Sequence, residues 1–235
     1  MPRRTSSTAG PVVVSIGGSV LLTGDGDREY LIALADLLRG IGRSVRLVVT
    51  TGGGRTAREY IRIGRGLGLT EVELDEIGIE VTRLHARLLA ARVGPPAPPH
   101  PPGTIAEAVH ELARGSPVIL GGTEPGHTTD GVAALLAARL RAARLVNATD
   151  VNGVYDRDPR TDPKAVRLDR VTWSDFRSMV HALASGGAGQ NFLFDRLGAD
   201  TLARAGIPLW IVHGRDLANL DAAIRGLPFD GSRVE

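Results

Sequence analysis

The chain of 235 residues has no cysteine, which excludes disulfides, thiolate metal sites and thiol nucleophiles. Aromatic residues make up only 4%, and no dense basic run is interleaved with them, so no nucleic-acid surface is expected. An excess of one charge is also missing: 28 basic residues face 26 acidic ones, for a formal charge of +2. Lysine is almost absent, since Lys164 is the only one, and the pI of 9.5 reflects arginine. No stretch approaches the roughly 18 uninterrupted apolar residues of a membrane span. Pro2, Arg3 and Arg4 ahead of Val12 to Leu22 superficially resemble a leader, but Ser15, Gly17, Gly18 and Ser19 interrupt the apolar run. Residues 1–10 are therefore expected to be a disordered tail, and the cytoplasm is the expected compartment.

What the chain does have is glycine, 30 residues of it, and enough apolar residues, 43%, to bury one large core or two lobes sharing a sheet. Continuous apolar runs bounded by glycine predict buried strands at Val12 to Ile16, Val45 to Val49, Pro117 to Leu120, Leu145 to Ala148 and Pro208 to Val212, the last closing the sheet. Helical spacing predicts helices over Arg28 to Arg39, Glu71 to Ala91, Thr104 to Arg114, Val132 to Leu140, Leu197 to Ala205 and Ala218 to Arg225, and a last edge strand over Gly231 to Val234. In the long second helix, Ile77, Val81, Leu84 and Leu88 form the expected apolar face. Six prolines between Gly94 and Gly103 read as an extended, semi-rigid connector, with His100 in it solvated. Strands alternating with helices predict a three-layer α/β/α fold with a largely parallel central sheet.

Three predicted strands run directly into glycine and hydroxyl loops that open helices: Gly17-Gly18-Ser19, Gly52-Gly53-Gly54, and Gly121 through Asp130. Unpaired N–H groups at a helix start and the positive end of its dipole favour an anion, and glycine allows close backbone approach. In parallel sheets ligands bind beyond the carboxyl ends of the strands, so the three loops can converge on one site. An ordinary capped helix explains the last loop equally well on its own. Arg58 stands where its guanidinium can fold back onto an anion at the second loop, or remain a solvated surface charge. Asn152-Gly153 is a hairpin-turn signal, followed by Tyr155 and by Asp158-Pro159.

These pieces, in this order, resemble the amino acid kinase superfamily, most closely its uridylate kinase branch of archaeal type. The carrying motifs are Ser15 to Val20, Gly52 to Gly54 with Arg58, Asp75 to Ile79 followed by Thr82-Arg83, Gly121 to Asp130, Thr149 to Pro159, and Asp195 heading a helix. The likeness covers residues 12 to 234. It implies a single domain over 11–235, with an acceptor lobe to about residue 140 and an ATP lobe after it. It implies transfer of the γ-phosphoryl group of ATP to UMP, with magnesium, in a homohexamer. By resemblance, Gly17, Gly18 and Ser19 cradle the transferring phosphoryl group, and Asp130 and Asp195 lie near the phosphates. Gly53, Gly54, Arg58, Asp75, Thr123 and Thr129 hold UMP, while Thr149, Asn152, Tyr155 and Asp158 lie along ATP. No metal ligand set is assigned.

Two departures stand out. Much of the superfamily opens the first motif with lysine, where this chain has Ser15, so transition-state charge must be neutralised by backbone amides, magnesium or an arginine. The usual Asn-Val-Asp-Gly turn is Asp150-Val151-Asn152-Gly153, with acid and amide exchanged. Two other readings are weighed: a sister kinase acting on isopentenyl phosphate or an amino acid, and a non-catalytic oxyanion-binding or storage protein. Arg55-Thr56-Ala57-Arg58 replaces the Ser-Phe-Gly-His pattern typical of isopentenyl phosphate kinases, which argues against that acceptor.

Overall fold

A computed structural model describes residues 10–24, 26–184 and 194–235. Of the expected tail only Gly10 is described, and it packs against the backbone of Arg141; residues 1–9 lie outside the described residues. The first half of the chain contains β1 (Val12–Ile16), α1 (Gly18–Leu21), α2 (Asp27–Gly42), β2 (Leu47–Thr51), α3 (Gly54–Gly66), α4 (Glu71–Val93), α5 (Ile105–Arg114) and β3 (Val118–Leu120). The second half contains α6 (Thr129–Leu140), β4 (Arg144–Thr149), β5 (Val154–Tyr155), β6 (Arg167–Leu168), β7 (Arg170–Val171), α7 (Trp173–Ala184), α8 (Arg196–Ala205), β8 (Leu209–His213), α9 (Leu217–Arg225) and β9 (Ser232–Val234).

A seven-stranded sheet in the order β3-β2-β1-β4-β8-β9-β7 forms the middle layer. All its pairings are parallel except β8 with β9. Alternate residues of each strand feed the two faces, as the pleat requires. Val13, Val48, Leu145 and Leu209 join the core beneath α5, α6, α7 and α8. Val12, Val14, Ile16, Leu47 and Val49 join the core beneath α2, α4 and α9. This is the predicted three-layer architecture, and it leaves the carboxyl ends of β1, β2, β3 and β4 side by side.

Several local expectations are corrected. β2 starts two residues later than predicted and takes in Thr50 and Thr51, both fully buried, because the neighbouring strands offer ladder partners as far as Thr51. β8 does not close the sheet. The segment expected as an edge strand, β9, is inserted between β8 and β7. Asn152-Gly153 is not the turn of the hairpin that follows: β5 pairs with β6, so the connecting loop is residues 156–166, and Gly153 precedes β5 at φ 151. The proline segment is a packed strap with turns rather than an extended spacer, since Ala97 is buried in the core and Gly115 abuts Pro96.

The apolar face predicted for α4 is also partly wrong. Leu84 and Leu88 are 62% and 53% exposed, while the buried stripe runs through Leu74, Thr82, His85 and Leu89. Two polar residues in that stripe hid it from a reading based on hydrophobicity. α4 itself begins with a full capping box, Thr70 accepting from Glu73 N–H and Glu73 accepting from Thr70 N–H.

Candidate active site

The first two glycine loops meet backbone to backbone. A Cβ on Gly18 would lie 2.0 Å from the Gly54 nitrogen, and one on Gly52 would lie 2.5 Å from the Gly18 nitrogen. Gly54 has φ 56, a left-handed conformation that glycine alone adopts without strain. The loops therefore bring the amino ends of α1 and α3 together as well. Gly53 is the residue preceding α3, and its own Cβ would collide with Ala57.

α4 clasps these loops through side chains that the sequence reading left without a role. His85 Nδ1 is 2.8 Å from the Gly52 carbonyl, and because a carbonyl only accepts, Nδ1 carries the proton. Thr51 Oγ1 donates to the Thr82 carbonyl at 3.0 Å. Thr82 Oγ1 donates to the Ile79 carbonyl and accepts from Gly122 N–H, both at 2.6 Å. Arg83 donates to the carbonyls of Gly122 and Thr123 at 3.2 and 3.1 Å. The signal in the sequence was polar residues at helical spacing on a buried face, Thr82 and His85, three apart. Replacing Thr82 with valine is expected to leave Gly122 N–H buried and unpaired, lowering stability by about 1–3 kcal/mol. Denaturant unfolding of Thr82→Val measures this directly.

Between α3, α4 and the third loop lies a cavity of about 290 Å³. Asp75, Gly78, Thr82, Gly122, His127 and Thr129 are among the residues lining it. Asp75 accepts from Gly126 N–H at 2.9 Å, which ties α4 to the loop. Of the residues assigned to UMP by resemblance, Asp75 and Thr129 line this cavity, and Gly53 and Gly54 stand beside it next to Ala57. Thr123 instead lines a neighbouring open depression with Tyr60 and Arg83, its hydroxyl buried without a partner. Arg58 is exposed on α3, with no hydrogen bond or ion pair to the described residues.

Asp130 sits in the first turn of α6, whose cap is Thr128 accepting from Gly131 N–H at 3.0 Å. Asp195 caps α8 by accepting from Gly198 N–H at 2.6 Å. A Cβ on Gly131 would lie 3.3 Å from Asp195 Oδ1, so the two helix starts are adjacent. The Asp130 pKa is raised to about 6, the net result of burial, which raises it most, the Ser15 hydroxyl bond, which lowers it, and the charge of Asp195, which raises it. Ser15, which stands where the resemblance leads one to expect a lysine, donates from Oγ to Asp130 Oδ1 at 2.6 Å. The Ser15 hydroxyl is itself buried, and among the described residues no cation pairs with Asp130.

Gly17 N–H donates to the Ala148 carbonyl, which places the first loop beside Thr149 at the end of β4. Tyr155 donates to Asn152 Oδ1 at 2.5 Å, and Asn152 donates to Asp230 at 3.2 Å. Asp158 is held by Arg160, which also reaches Asp150 at 3.4 Å. Thr149 thus ends β4, and Asn152, Tyr155 and Asp158 follow it, on the side of the first loop away from the cavity. Asp230 and Arg160 were not anticipated. Their contacts come from a distant loop and from a turn whose course the sequence does not fix.

Glycine loops at adjacent strand ends, opposed helix starts, a neighbouring cavity and two adjacent carboxylates define an α/β fold whose strand-end loops carry the donor geometry that suits oxyanions. A model of the amino acid kinase family matches residues 10–213. The uridylate kinase of Methanothrix thermoacetophila is 43% identical over 225 residues, covering 95% of this chain and 98% of that protein. That of Methanothermobacter thermautotrophicus is 41% identical over 216 residues, covering 92% and 95%. The crystal structure of uridylate kinase from Archaeoglobus fulgidus matches with a TM-score of 0.85 at 36% identity, over 96% of this chain and all of that one. The UMP kinase of Bacillus anthracis, 18% identical with a TM-score of 0.77, shares the fold. This chain belongs to the amino acid kinase family.

Proposed function

We propose that this chain is an ATP-dependent UMP kinase, transferring the γ-phosphoryl group of ATP to the phosphate of UMP to give UDP for pyrimidine nucleotide biosynthesis. The observation that carries the reading is the backbone contact of the first two glycine loops beside the cavity, in a chain that matches uridylate kinases over nearly its whole length. Such chemistry needs positioning and charge stabilisation rather than a covalent nucleophile. No general base is required, because the attacking phosphate oxygen is ionised near neutral pH.

UMP occupies the cavity of the half up to about residue 140, with Asp75 on its ribose hydroxyls and Thr129, together with Thr123 from the adjoining depression, on its base and phosphate. Gly53, Gly54 and Arg58 hold its phosphate. ATP lies along Thr149, Asn152, Tyr155 and Asp158 in the half that follows, its γ-phosphate over Gly17, Gly18 and Ser19. Asp130 and Asp195 orient the groups around the transferring phosphoryl. Among the described residues no three His, Cys, Asp or Glu side chains cluster as a metal site. A pair of carboxylates suits Mg²⁺, which keeps much of its shell as water and phosphate oxygen. Bound there, Mg²⁺ would neutralise phosphate charge, with Asp130 and Asp195 holding its waters.

A coupled assay offering UMP, CMP, isopentenyl phosphate and acetylglutamate with ATP and magnesium tests the reading. UMP-dependent ADP release is expected; its absence, or turnover of another acceptor alone, rejects it in favour of a sister kinase or an oxyanion-storage protein. Arg58→Ala is expected to raise the KM for UMP about tenfold or more, and the KM for ATP much less. Equal effects on both would remove Arg58 from the acceptor phosphate. Self-association into a hexamer is supported by the exposed Leu84 and Leu88 of α4 and by Ile32 of α2, which sedimentation tests. Among the described residues no helix is long and apolar enough to cross a membrane, and a cytoplasmic location fits the expected metabolic role.

A further inference from the structure

At the opposite end of the sheet from the glycine loops, two guanidinium groups converge on one indole. Arg144, the first residue of β4, has its guanidinium carbon 4.5 Å from the centre of the Trp210 ring. Arg233 of β9, paired with Trp210 of β8 in the sheet register, lies 5.0 Å from the same ring and 5.0 Å from Phe229. Phe229 stacks on Trp210 with centroids 4.9 Å apart. Stacking uses the faces of the guanidinium planes and leaves their N–H edges free to bond.

Among the described residues those edges have almost nothing to bond. Arg144 Nη1 donates to the Ile224 carbonyl at the end of α9, at 2.8 Å. Among the described residues neither Arg144 nor Arg233 has an ion-pair partner, and the Arg233 side chain has no hydrogen bond. The carboxylates of this part of the chain are already engaged: Asp221 with Arg225, Asp230 with Arg167, Glu235 with Arg170. Burial, and then the charge of Arg233, depress the Arg144 pKa, so the two cations are close enough to oppose one another. The Trp210 Nε1 donor nearby is buried and unpartnered. Among the described residues the two guanidinium groups therefore carry donors and positive charge with no carboxylate partner.

We infer that Arg144 and Arg233, on the Trp210–Phe229 stack, form an oxyanion site separate from the nucleotide site, suited to a phosphate or carboxylate group. Guanidinium edges match either group through paired N–H donors, and partial burial strengthens the attraction by limiting the screening water. Arg144 and Thr149 are the first and last residues of β4, five residue steps or about 17 Å apart at roughly 3.3 Å per step, too far for one phosphate to touch both. The site does not rest on the kinase reading.

The chain has two tryptophans, Trp173 and Trp210, so Trp173→Phe leaves Trp210 as the sole indole reporter. The experiment titrates this variant with pyrophosphate and, separately, citrate, without UMP and at a series of UMP concentrations up to saturation, without magnesium, and against sodium chloride of equal ionic strength. A saturable change in Trp210 emission is expected with at least one anion, and the two arms identify phosphate or carboxylate as the preferred group. Adding Arg233→Gln, which removes no hydrogen bond within the described residues, is expected to weaken that binding about tenfold or more. Emission that follows ionic strength alone overturns the proposal. So does saturation unchanged in Arg233→Gln, or an apparent affinity that shifts with UMP concentration.

Discussion

Replacing Gly18 with alanine is expected to reduce turnover by at least about a hundredfold, with a loss of stability of about 2–3 kcal/mol. The added Cβ would lie 2.0 Å from the Gly54 nitrogen and 2.6 Å from the Gly53 carbonyl carbon. Both obstacles are backbone, so no rotamer change relieves the clash. The loops must part, and parting them moves the start of α1 away from the start of α3. If these helix starts grip the donor and acceptor phosphates, a separation of an ångström breaks the alignment that in-line transfer needs. Thermal melting together with steady-state kinetics checks both halves of the expectation. An alanine variant that melts and turns over like the wild type would show that the contact between the loops is dispensable.

Asp130→Asn is expected to lower turnover by about a hundredfold or more while raising the melting temperature of the ligand-free protein at pH 8. The two effects share a cause. Folding places the Asp130 carboxyl where burial and Asp195 disfavour its ionised form, so its pKa rises from 3.8 in the unfolded chain to about 6 in the native one. Between those values the native state binds a proton that the unfolded state has released, and stability falls as pH climbs through this window. Above pH 6 the full cost of the buried charge is present. Asparagine keeps the shape and can still accept from the Ser15 hydroxyl without that charge. The variant's advantage is therefore expected at pH 8 and should fade as the pH drops towards 4, in melts recorded without nucleotide. A variant less stable than the wild type at pH 8 would mean that the carboxylate is compensated in the native state. Retained turnover would remove Asp130 from the reaction.

Ser15 gives this second expectation its direction. With lysine in its place the neighbouring carboxylate would have an opposite charge beside it, and removing the carboxylate would strand a buried cation. With serine, the compensation among the described residues is one hydroxyl bond. Asparagine at position 130 is thus predicted to relieve the fold and impair the chemistry, the pattern of a group retained for function at a cost in stability.

Much of the layer structure was legible because strand burial writes itself into the sequence. Val12 to Ile16 and Leu145 to Ala148 are continuous apolar runs because parallel strands covered on both faces need them. The glycine loops were legible for a related reason: a glycine triplet directly after such a run is costly unless the backbone needs the space. Asp195 was legible as the residue heading a helix, and the structure adds that it caps that helix by accepting from Gly198 N–H. α7 and the outer strand β7 were not read at all. The run from Arg170 to Ala184 has strand and helix signals too short and too mixed to separate, and its state is decided by β9 and α8 packing beside it.

By itself the sequence determined the alternation of strands and helices, the positions of three phosphate-suited loops, the carboxylates at two helix starts and the absence of thiol chemistry. These depend on neighbours in the chain, which a linear reading sees. Only the tertiary structure decided that Gly18 lies against Gly54, that Thr82 and His85 clasp loops 30 to 40 residues away in sequence, and that Ser15 bonds Asp130 across 115 positions. It also decided that β9 enters the sheet beside β8, which brings Arg233 to Trp210. Such contacts are set by sheet order and register, and those follow from the best joint burial of all the strands and helices rather than from any one segment.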